Sequence, residues 1–431
     1  MMSYKVTVIL FFVLSYIGII SFSRKKTYFA GCGALLLIVA YGFFEARSAS
    51  DVVLFVLHSI NWNVLGIFLG TLLIADAFIE SEVPALIAHA LVSRSKNIGI
   101  AIFAVCIMTS LLSAFIENVA TVLIVAPIAL SITRKQNMSP VPFLIGLAVS
   151  SNLQGTATLI GDPPSMILAG YMGLNFNQFF VLNGKLGLFF AVQVGAVISF
   201  FILRLFFRQY RDPVLPSARP AVKSWFPMAV ILLMILLLAL SSLIDPNFSY
   251  LGGIICMALG VLCIPWFCTA VGLSGRELIK RLDFDTTIFL ASIFILVGSL
   301  TESGLLNDTA LLVQRFIGSD RFVIYTFFVW VSVIISAFVD NVPYITAMLP
   351  VARIISQNLG VSPYLFVFGL LIGSCLGGNI TPVGASANVV SVSILKREGY
   401  HVTIKEFARI GLPFTIGATL GSYLFVWFLW R

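Results

Sequence analysis

The stretch Ser-Ala-Phe-Ile-Glu-Asn at 113–118 recurs, with two conservative changes, as Ser-Ala-Phe-Val-Asp-Asn at 336–341. A second stretch at 155–167 recurs in altered form at 378–390. Both pairs are displaced by the same number of residues (340 − 117 = 223 and 384 − 161 = 223). A register held without gaps over about fifty residues indicates an internal duplication. We therefore expect two halves with similar structures.

The composition indicates a membrane protein. Hydrophobic residues make up 59% of the 431 residues and charged residues only 10%, whereas a soluble protein carries about 25% charged residues. The mean hydropathy is +1.05. The net charge of +8 does not require a nucleic acid partner, because Lys and Arg collect at the edges of membrane helices. We expect an all-α polytopic protein with the lipid bilayer as its partner.

Apolar runs predict where the chain crosses the membrane. A spanning helix needs roughly 17–25 residues, and the first run lacks a small-residue cleavage site, so we expect a retained helix rather than a signal peptide. Runs of spanning length lie near 5–22, 27–44, 62–80, 178–203, 225–243, 250–270, 284–301 and 410–430. The duplicated motifs interrupt longer regions at 98–133 and 140–172, and again at 321–357 and 363–395. The six cysteines lie mostly in apolar runs and are expected to be buried small hydrophobes.

Region 98–133 can form two spanning helices or one re-entrant hairpin. Basic residues flank it on both sides, at 94–96 and at 134–135. Such residues concentrate on the cytoplasmic side of a membrane, so both ends of the region should lie there. Each arm is short, and Glu117 and Asn118 would form the turn. These features favour the hairpin.

The hairpin has a consequence for the whole topology. Region 140–172 then crosses once, as a helix broken around 155–164, and each half has five crossings plus one hairpin. Because five is odd, we predict two inverted-topology repeats, 1–208 and 224–431, joined by a cytoplasmic linker at 209–223. With both termini outside the cytoplasm, all but seven of the 26 Lys and Arg residues are cytoplasmic. We expect a multi-pass protein of the plasma membrane.

Two carboxylates occupy equivalent places at the predicted hairpin tips. Glu117 precedes Asn118, and Asp340 precedes Asn341. An ionised group inside a membrane is costly, so it suggests a function by default. We expect these four residues to handle a coupling H⁺ or to bind Na⁺. The alternative is that Asn118 and Asn341 are helix N-caps, with the acids favoured by the helix dipole.

Polar residues also repeat within the two broken crossings. Glycine lets the backbone approach a ligand closely, and the N-termini of half-helices offer free N–H groups. Hydroxyl and amide oxygens suit alkali-ion coordination. The alternative is a kinked helix packed on its neighbours through small residues. The residues predicted to bind substrate or ion are Thr156, Thr158, Gly161 and Asp162 in the first half and Asn379, Thr381, Gly384, Ser386 and Asn388 in the second.

Other polar residues restrict the function further. Asp162 has no acidic counterpart, because Ala385 stands at the equivalent position. The broken segments contain no Lys or Arg, which favours a small ion or a neutral solute over a large polyanion. Asp76 is either a proton relay or a residue at the cytoplasmic edge. The three histidines are scattered and predict no metal centre, and we expect no cofactor: they are His58, His89 and His401.

These motifs resemble the ion transporter superfamily, in particular the branch that contains arsenite permeases, NhaD-type Na⁺/H⁺ antiporters and the melanosomal P protein. The resemblance covers about 27–430 and rests on the Ser-Ala-Phe-(Ile/Val)-(Glu/Asp)-Asn-Val pair, on Ile-Gly-Asp-Pro-Pro at 160–164, and on Gly-Gly-Asn-Ile-Thr-Pro-Val-Gly-Ala-Ser-Ala-Asn-Val-Val at 377–390. It implies two inverted repeats, a scaffold domain, a mobile transport domain with both hairpins, and a homodimer. The sodium-dependent dicarboxylate branch has Ser-Asn-Thr at its hairpin tips, which this chain lacks.

We therefore expect a secondary active transporter that works by alternating access, with the elevator motion that the resemblance implies. Its substrate would be a small inorganic or organic anion or an arsenite-like solute, coupled to H⁺ or Na⁺. A Na⁺/H⁺ antiporter is the alternative within this class. A passive channel and an intramembrane enzyme are alternatives from other classes, and the sequence has no His-Glu-x-x-His or Gly-x-Ser-x-Gly motif that would favour an enzyme.

The hairpin can be tested by cysteine labelling. Single cysteines introduced at 94–97 and at 134–137 should react with a membrane-impermeant maleimide from the same, cytoplasmic face, because the basic flanks of 98–133 place both ends there. Labelling of the two segments from opposite faces would show that the region crosses the membrane once more than a hairpin does. The inverted topology would then be wrong.

Overall fold

The chain folds almost entirely into helices, as predicted. The computed structural model describes residues 4–22, 25–45, 47–215 and 219–431. Apolar runs become helices because lipid offers no partner for a backbone N–H or C=O group that the segment does not satisfy itself. In the described residues the only strands are two short ones, β1 (Val181–Leu182) and β2 (Lys185–Leu186), which pair antiparallel.

Twenty α-helices follow one another along the described chain. The first half contains α1 (Tyr4–Ser21), α2 (Lys26–Phe44), α3 (Ala49–Ser59), α4 (Trp62–Glu80), α5 (Val83–Ser93), α6 (Ile98–Ser113), α7 (Asn118–Lys135), α8 (Val141–Gly155), α9 (Pro163–Met172) and α10 (Leu188–Phe207). The second half contains α11 (Phe226–Ser241), α12 (Leu251–Trp266), α13 (Gly275–Arg281), α14 (Phe284–Glu302), α15 (Leu305–Ile317), α16 (Arg321–Ser336), α17 (Asn341–Asn358), α18 (Tyr364–Gly377), α19 (Ser386–Arg397) and α20 (Ile404–Trp430).

The helix boundaries repeat between the halves. Helices α16 and α17 begin and end 223 residues after α6 and α7. Their N-terminal caps repeat as well, because Asn97 accepts a hydrogen bond from the Ile100 N–H at 2.9 Å, and Asp320 accepts one from the Val323 N–H at 2.9 Å. A side-chain cap satisfies an N–H group that has no partner within the helix. The duplication seen in the motifs thus extends to the ends of the helices.

The structure is consistent with a hairpin but does not test it. Helices α6 and α7 contact each other and are joined by residues 114–117 alone. However, α7 has 18 residues and is apolar enough to span a membrane, and it is longer than the arm at 119–133 that we predicted. The helical hairpin of α6 and α7 is thus observed, but its re-entrant placement in the membrane stays a prediction. The inverted repeats, their boundaries and the positions of the termini stay predictions as well.

By length and composition, eight helices of the described chain can cross a membrane. A ninth span is possible if α15 and α16, which meet at 109°, act as one bent segment. The predicted break in region 140–172 is confirmed, since α8 and α9 are separated by residues 156–162. This number of apolar helices indicates an integral, multi-pass membrane protein.

Two of the predicted spans differ from the structure. The run at 225–243 becomes α11, which has only 16 residues. The run at 178–203 was expected to be helical throughout, but its first part forms a 3₁₀ turn (Phe176–Phe179) and the β1–β2 ribbon before α10 begins at Leu188. Hydropathy alone does not distinguish these structures, because a short ribbon can bury the same apolar residues as a helix.

The two halves interlock. Helix α4 packs against α12, and α14 packs against α2, so that each half packs one of its helices on the other. Gly70 permits the first crossing, because a Cβ atom there would collide with the backbone of Cys256. Small residues at such crossings let membrane helices approach closely. We call the group formed by α1, α2, α4, α11, α12 and α14 the first bundle.

A second group of helices surrounds the two broken crossings. Helix α6 packs on α8, α16 on α18, and α10 on α20. At the centre of this group α19 contacts α7 and α8, while α17 contacts α9. We call these helices, with α7, α9, α17 and α19, the second bundle. Its packing brings both breaks and both hairpin tips to one place.

The cysteines follow the prediction only in part. Four are buried, in agreement with their expected role as small hydrophobes, whereas Cys32 and Cys268 are exposed. Both exposed residues lie in strongly apolar segments, so an apolar run does not show which of its faces packs against protein and which faces lipid.

Candidate functional site

Each hairpin tip ends in an acid that caps the next helix. The Glu117 carboxylate accepts a hydrogen bond from the Ala120 N–H at 3.0 Å, and the Asp340 carboxylate accepts one from the Val342 N–H at 3.1 Å. The negative charges also interact favourably with the N-terminal ends of the helix dipoles. The alternative in which Asn118 and Asn341 provide the caps is wrong. These two residues are the first of their helices.

Both asparagines instead converge on Asp162. The Asn118 side-chain amide donates to Asp162 Oδ1 at 3.1 Å, and the Asn341 amide donates to Asp162 Oδ2 at 3.4 Å. Asp162 is only 4% exposed. Both acids of the hairpin tips also lie within electrostatic range of it. A carboxylate held by neutral amides away from water is stabilised further when it binds a proton or a cation.

A row of side-chain amides connects the first break to the second. Asn118 also donates to Asn152 Oδ1 at 3.1 Å. Asn152 then donates to the oxygens of Asn379 at 2.8 Å and Asn388 at 2.9 Å. Asn388 in turn donates to two carbonyl oxygens of the second break, each at 2.8 Å. Because these side chains are buried, the polar groups of the two halves form one network that excludes solvent.

One acceptor of this network has no partner. The side-chain oxygen of Asn118 is buried and makes no hydrogen bond with the described residues. It belongs to the same amide whose nitrogen donates to Asp162. A buried acceptor without a partner costs about 1–3 kcal/mol. A cation bound between this oxygen and Asp162 would remove that cost.

Two threonines in the breaks donate hydrogen bonds to the hairpin tips. The Thr158 hydroxyl donates to the Ala114 carbonyl, and the Thr381 hydroxyl donates to the Ala337 carbonyl. The two bonds are equivalent, since donors and acceptors are each displaced by 223 residues. Both threonines were predicted to line a substrate path. The structure shows that their hydroxyl protons instead fix each break against the hairpin tip that precedes it in the chain.

The spacing of glycines that repeats in the two halves has a steric reason. A Cβ atom on Gly161 would lie 2.6 Å from the Gly155 carbonyl oxygen and 2.7 Å from that of Ser113. A Cβ atom on Gly384 would lie 2.6 Å from the Gly378 carbonyl oxygen. These separations are too short for any side chain. Both glycines let the broken segment fold back on itself next to a hairpin tip.

Two predicted residues do not face the central cluster. The Thr156 hydroxyl donates to the Asn152 carbonyl of its own helix at 3.3 Å. Ser386 begins α19 and is exposed. The geometry therefore brings together Asn118, Asp162, Asn341, Asn379 and Asn388, with the two acidic caps adjacent to them.

Sequence reasoning missed two residues of the site. Asn152 ends the polar run 150–152 inside the otherwise apolar helix α8, and this run was a detectable signal. Lys26 pairs with Asp340 at 2.5 Å between Nζ and Oδ2. It follows two other basic residues in the sequence, which is typical of a membrane edge. No local pattern shows that Lys26 reaches a hairpin tip.

Two cavities flank the cluster at equivalent places in the halves. One, of about 360 Å³, is lined by α4, α5 and α7, including Leu123. The other, of about 800 Å³, is lined by α3, α9, α14 and α17, including Thr346. Leu123 and Thr346 are again 223 residues apart. Asp162 lines neither cavity.

Asp76 lies in a charged group at the end of α4 and away from this cluster. Arg281 contacts Asp76 at 3.3 Å and Glu80 at 2.8 Å, and Lys223 contacts Glu80 at 3.3 Å. All four side chains are partly exposed. This geometry favours the edge alternative over a proton relay. Among the described residues, no group of His, Cys, Asp and Glu side chains has the arrangement of a metal site.

Helices that break around a buried polar cluster, with matching breaks in two halves of the chain, are typical of a membrane transporter. A family model described as citrate transporter (CitMHS) matches residues 16–368 and, in a second match, 273–431. The chain belongs to this family.

Related proteins agree with this assignment. An uncharacterized transporter of Mycobacterium bovis is 27% identical, and the match covers 98% of each chain. The P protein of Mus musculus is 27% identical over 93% of this chain, which corresponds to 58% of its own length. The resemblance to the ion transporter superfamily that the motifs predicted is thereby confirmed.

Two solved structures share the fold. The YdaH transporter of Alcanivorax borkumensis matches 84% of both chains with a TM-score of 0.59 and 17% identity. MtrF of Neisseria gonorrhoeae, described as illuminating a class of antimetabolite efflux pumps, matches 98% of this chain and 94% of its own with a TM-score of 0.57 and 12% identity. At these identities the likeness concerns the fold alone.

The role of the two threonines can be tested by removing their hydroxyls. Thr158→Val and Thr381→Val should each destabilise the protein by about 1–3 kcal/mol, because a buried carbonyl loses its donor. The matched control is Thr309→Val, whose exposed hydroxyl bonds only within its own helix. Heat-unfolding midpoints of the purified variants in detergent provide the measurement. Midpoints equal to that of the control would show that the threonines do not fasten the breaks.

Proposed function

We propose that this protein is an ion-coupled secondary transporter that works by alternating access. The observation that carries the proposal is Asp162, a buried carboxylate held by one asparagine from each half. A site of this kind changes its charge when it takes up or releases a cation. Because both hairpin tips contribute to it, such a change acts on both halves at once.

The coupling ion is H⁺ or Na⁺. Asp162 can take up either, and the unpaired oxygen of Asn118 favours a bound cation over a proton alone. Glu117, Asp340 and Asn341 complete the group of candidate ligands, although the first two acids also cap their helices. Alkali ions are held by carboxylate and amide oxygens of this type, often next to unwound backbone and helix ends.

The substrate is a small inorganic or organic anion or an arsenite-like solute. The N-terminus of α19 faces the second break and supplies N–H groups and a partial positive charge, whereas α9 begins with Pro163 and Pro164, which have no N–H, and contributes only its dipole. Two helix ends, without a Lys or Arg in the broken segments, suit a small ligand better than a highly charged one. Citrate belongs among the candidates because of the family to which the chain belongs.

The two bundles suggest how access alternates. We propose that the first bundle is a scaffold and that the second moves against it as an elevator, carrying both hairpins. The cavities at equivalent faces of α7 and α17 would then open to the two sides of the membrane in turn. By resemblance to the superfamily, the protein works as a homodimer in the plasma membrane, with both termini outside the cytoplasm.

A Na⁺/H⁺ antiporter is a second candidate. The observation that favours it is the charge of the cluster, in which Glu117 and Asp340 lie within electrostatic range of Asp162 and Lys26 pairs with Asp340. Such an acidic site attracts cations and repels anions. In this alternative no further solute is carried.

An uptake panel in proteoliposomes distinguishes these candidates. Arsenite, citrate, phosphate and ²²Na⁺ should be offered in turn, with a pH gradient, with a Na⁺ gradient and with neither. Uptake of one solute that depends on one gradient supports the proposal, whereas ²²Na⁺ flux driven by pH alone supports the antiporter. Currents larger than any carrier turnover would instead identify a channel and contradict the proposal.

The acids can be tested singly. Glu117→Gln, Asp340→Asn and Asp162→Asn should each abolish ion-coupled transport while the protein still inserts and folds, because the amide keeps the shape of the carboxylate but not its charge. If the first two acids only support helix dipoles, their loss should cost about 0.3–1 kcal/mol of stability and leave transport intact. Transport assays and melting curves of the same preparations decide between these results.

The controls are acids at exposed positions. Asp308→Asn removes an exposed ion pair with Lys5, and Glu277→Gln alters the exposed start of α13. Neither should affect coupling. Wild-type coupling in all three site variants would mean that the coupling ion binds elsewhere.

A further inference from the structure

Lys26 joins the two bundles at a hairpin tip. It begins α2 of the first bundle, and its Nζ atom lies 2.5 Å from Asp340 Oδ2 in the second. The two side chains are 20% and 21% exposed, so the pair is largely withdrawn from water. The Lys26 ammonium also lies 4.6 Å from the centre of the Phe289 ring, which stabilises a cation at this place.

A second contact lies beside this pair. The Tyr16 hydroxyl of α1 donates to the Pro343 carbonyl oxygen at 2.9 Å. Pro343 follows Asp340 by three residues in the first turn of α17. Helices α1 and α2 therefore contact the same hairpin tip, α1 through a neutral group and α2 through a charged one.

The surroundings of Lys26 are acidic. Asp283 and Asp285, at the start of α14, interact electrostatically with it in addition to Asp340, and Glu117 of the other hairpin tip lies within range as well. Four carboxylates therefore lie within electrostatic range of the Lys26 ammonium. Removing it leaves Asp340 without its ion-pair partner.

The arrangement occurs in one half only. Glu117, which is equivalent to Asp340, caps its own helix and forms no ion pair with a Lys or Arg of the described residues. The start of α12, which corresponds to the start of α2, is Ser-Tyr-Leu at 249–251 and contains no basic residue. The repeated fold therefore does not require a lysine at this position. Lys26 serves the one hairpin tip that carries Asp340.

We propose that Lys26 is a resident counter-cation for Asp340. In the ion-free carrier it neutralises this carboxylate and holds the hairpin tip against the first bundle. When the coupling cation enters, it takes over the carboxylate and Lys26 separates from it. The loaded tip is then released, so that ion occupancy controls whether the second bundle can move. This inference rests on the proposed function of the site.

The inference predicts different effects on two modes of transport. In net uptake the carrier must return without its ion, and without Lys26 it would return with an unpaired, largely buried carboxylate. In exchange the carrier crosses the membrane in both directions with ion and solute bound. The coupling cation then neutralises Asp340, and Lys26 is not needed. A residue that only stabilises the fold would affect both modes alike.

The transport test compares Lys26→Met with the wild type in proteoliposomes, using the solute that the uptake panel identifies. Net uptake should fall by about tenfold or more, since removal of one partner leaves a buried charge uncompensated, while exchange stays within about twofold. Lys26→Arg should keep both modes, because it keeps the charge. The control Lys5→Met removes an exposed pair and should change neither. Equal losses in both modes, or none, would overturn the proposal.

A conformational test does not depend on knowing the solute. Spin labels can be placed at Ile288 of α14 and Ile334 of α16, which are 53% and 64% exposed, in a background where Cys32 and Cys268 are serine. Without Na⁺ and solute, pulsed dipolar spectroscopy should show one narrow distance distribution for the wild type and Lys5→Met. Lys26→Met should broaden or shift it. An unchanged distribution would refute the role of Lys26, whatever the uptake panel shows.

Discussion

A helix that breaks inside a membrane must satisfy its polar groups without water, and the rest of this structure depends on that constraint. The backbone at 156–162 and at its counterpart near 381 is unwound, so its groups need partners that helices normally provide for themselves. Side chains of the helices that follow the breaks supply such partners, because Asn388 donates to the Gly378 and Thr381 carbonyls and Ser165 donates to the Thr156 carbonyl. The threonines of the breaks in turn donate to carbonyl groups of the hairpin tips. The breaks and hairpins therefore form one unit, and neither could be placed alone.

The duplication supplies this geometry twice, but the chemistry differs between the halves. Asp162 stands opposite Ala385, and Asn152 stands opposite Cys375. The two equivalent backbone arrangements are thus joined by a hydrogen-bond network with one carboxylate, Asp162, at its centre. The network is therefore not symmetric between the halves. An exactly symmetric network would hold two acids close together, and their repulsion would favour loss of one charge. A single central acid avoids that repulsion and leaves one place where a cation is stabilised best.

The charges around this centre bear on the choice of substrate. Three acids and one lysine form a region that attracts cations, yet the family to which the chain belongs is described by the transport of citrate, an anion. The two can be reconciled when a bound cation neutralises the site before the anion enters. The helix N-termini at the breaks then provide further positive potential. Coupling in that case follows from electrostatics, because the anion has no stable place until the cation is bound.

The sequence by itself determined the membrane class, the duplication, the places of the breaks and most of the central residues. These features have local signals: an apolar run, a motif repeated in register, or an acid inside an apolar stretch. It did not determine that Asn118 and Asn341 turn toward Asp162 while the acids act as caps, because both arrangements have the same sequence pattern. Only the tertiary structure joined Lys26 to Asp340, 314 residues away, and Asn152 to Asn379, 227 residues away. Such contacts depend on how apolar helices pack against one another, and helices that are apolar on all sides carry little information about which face meets which.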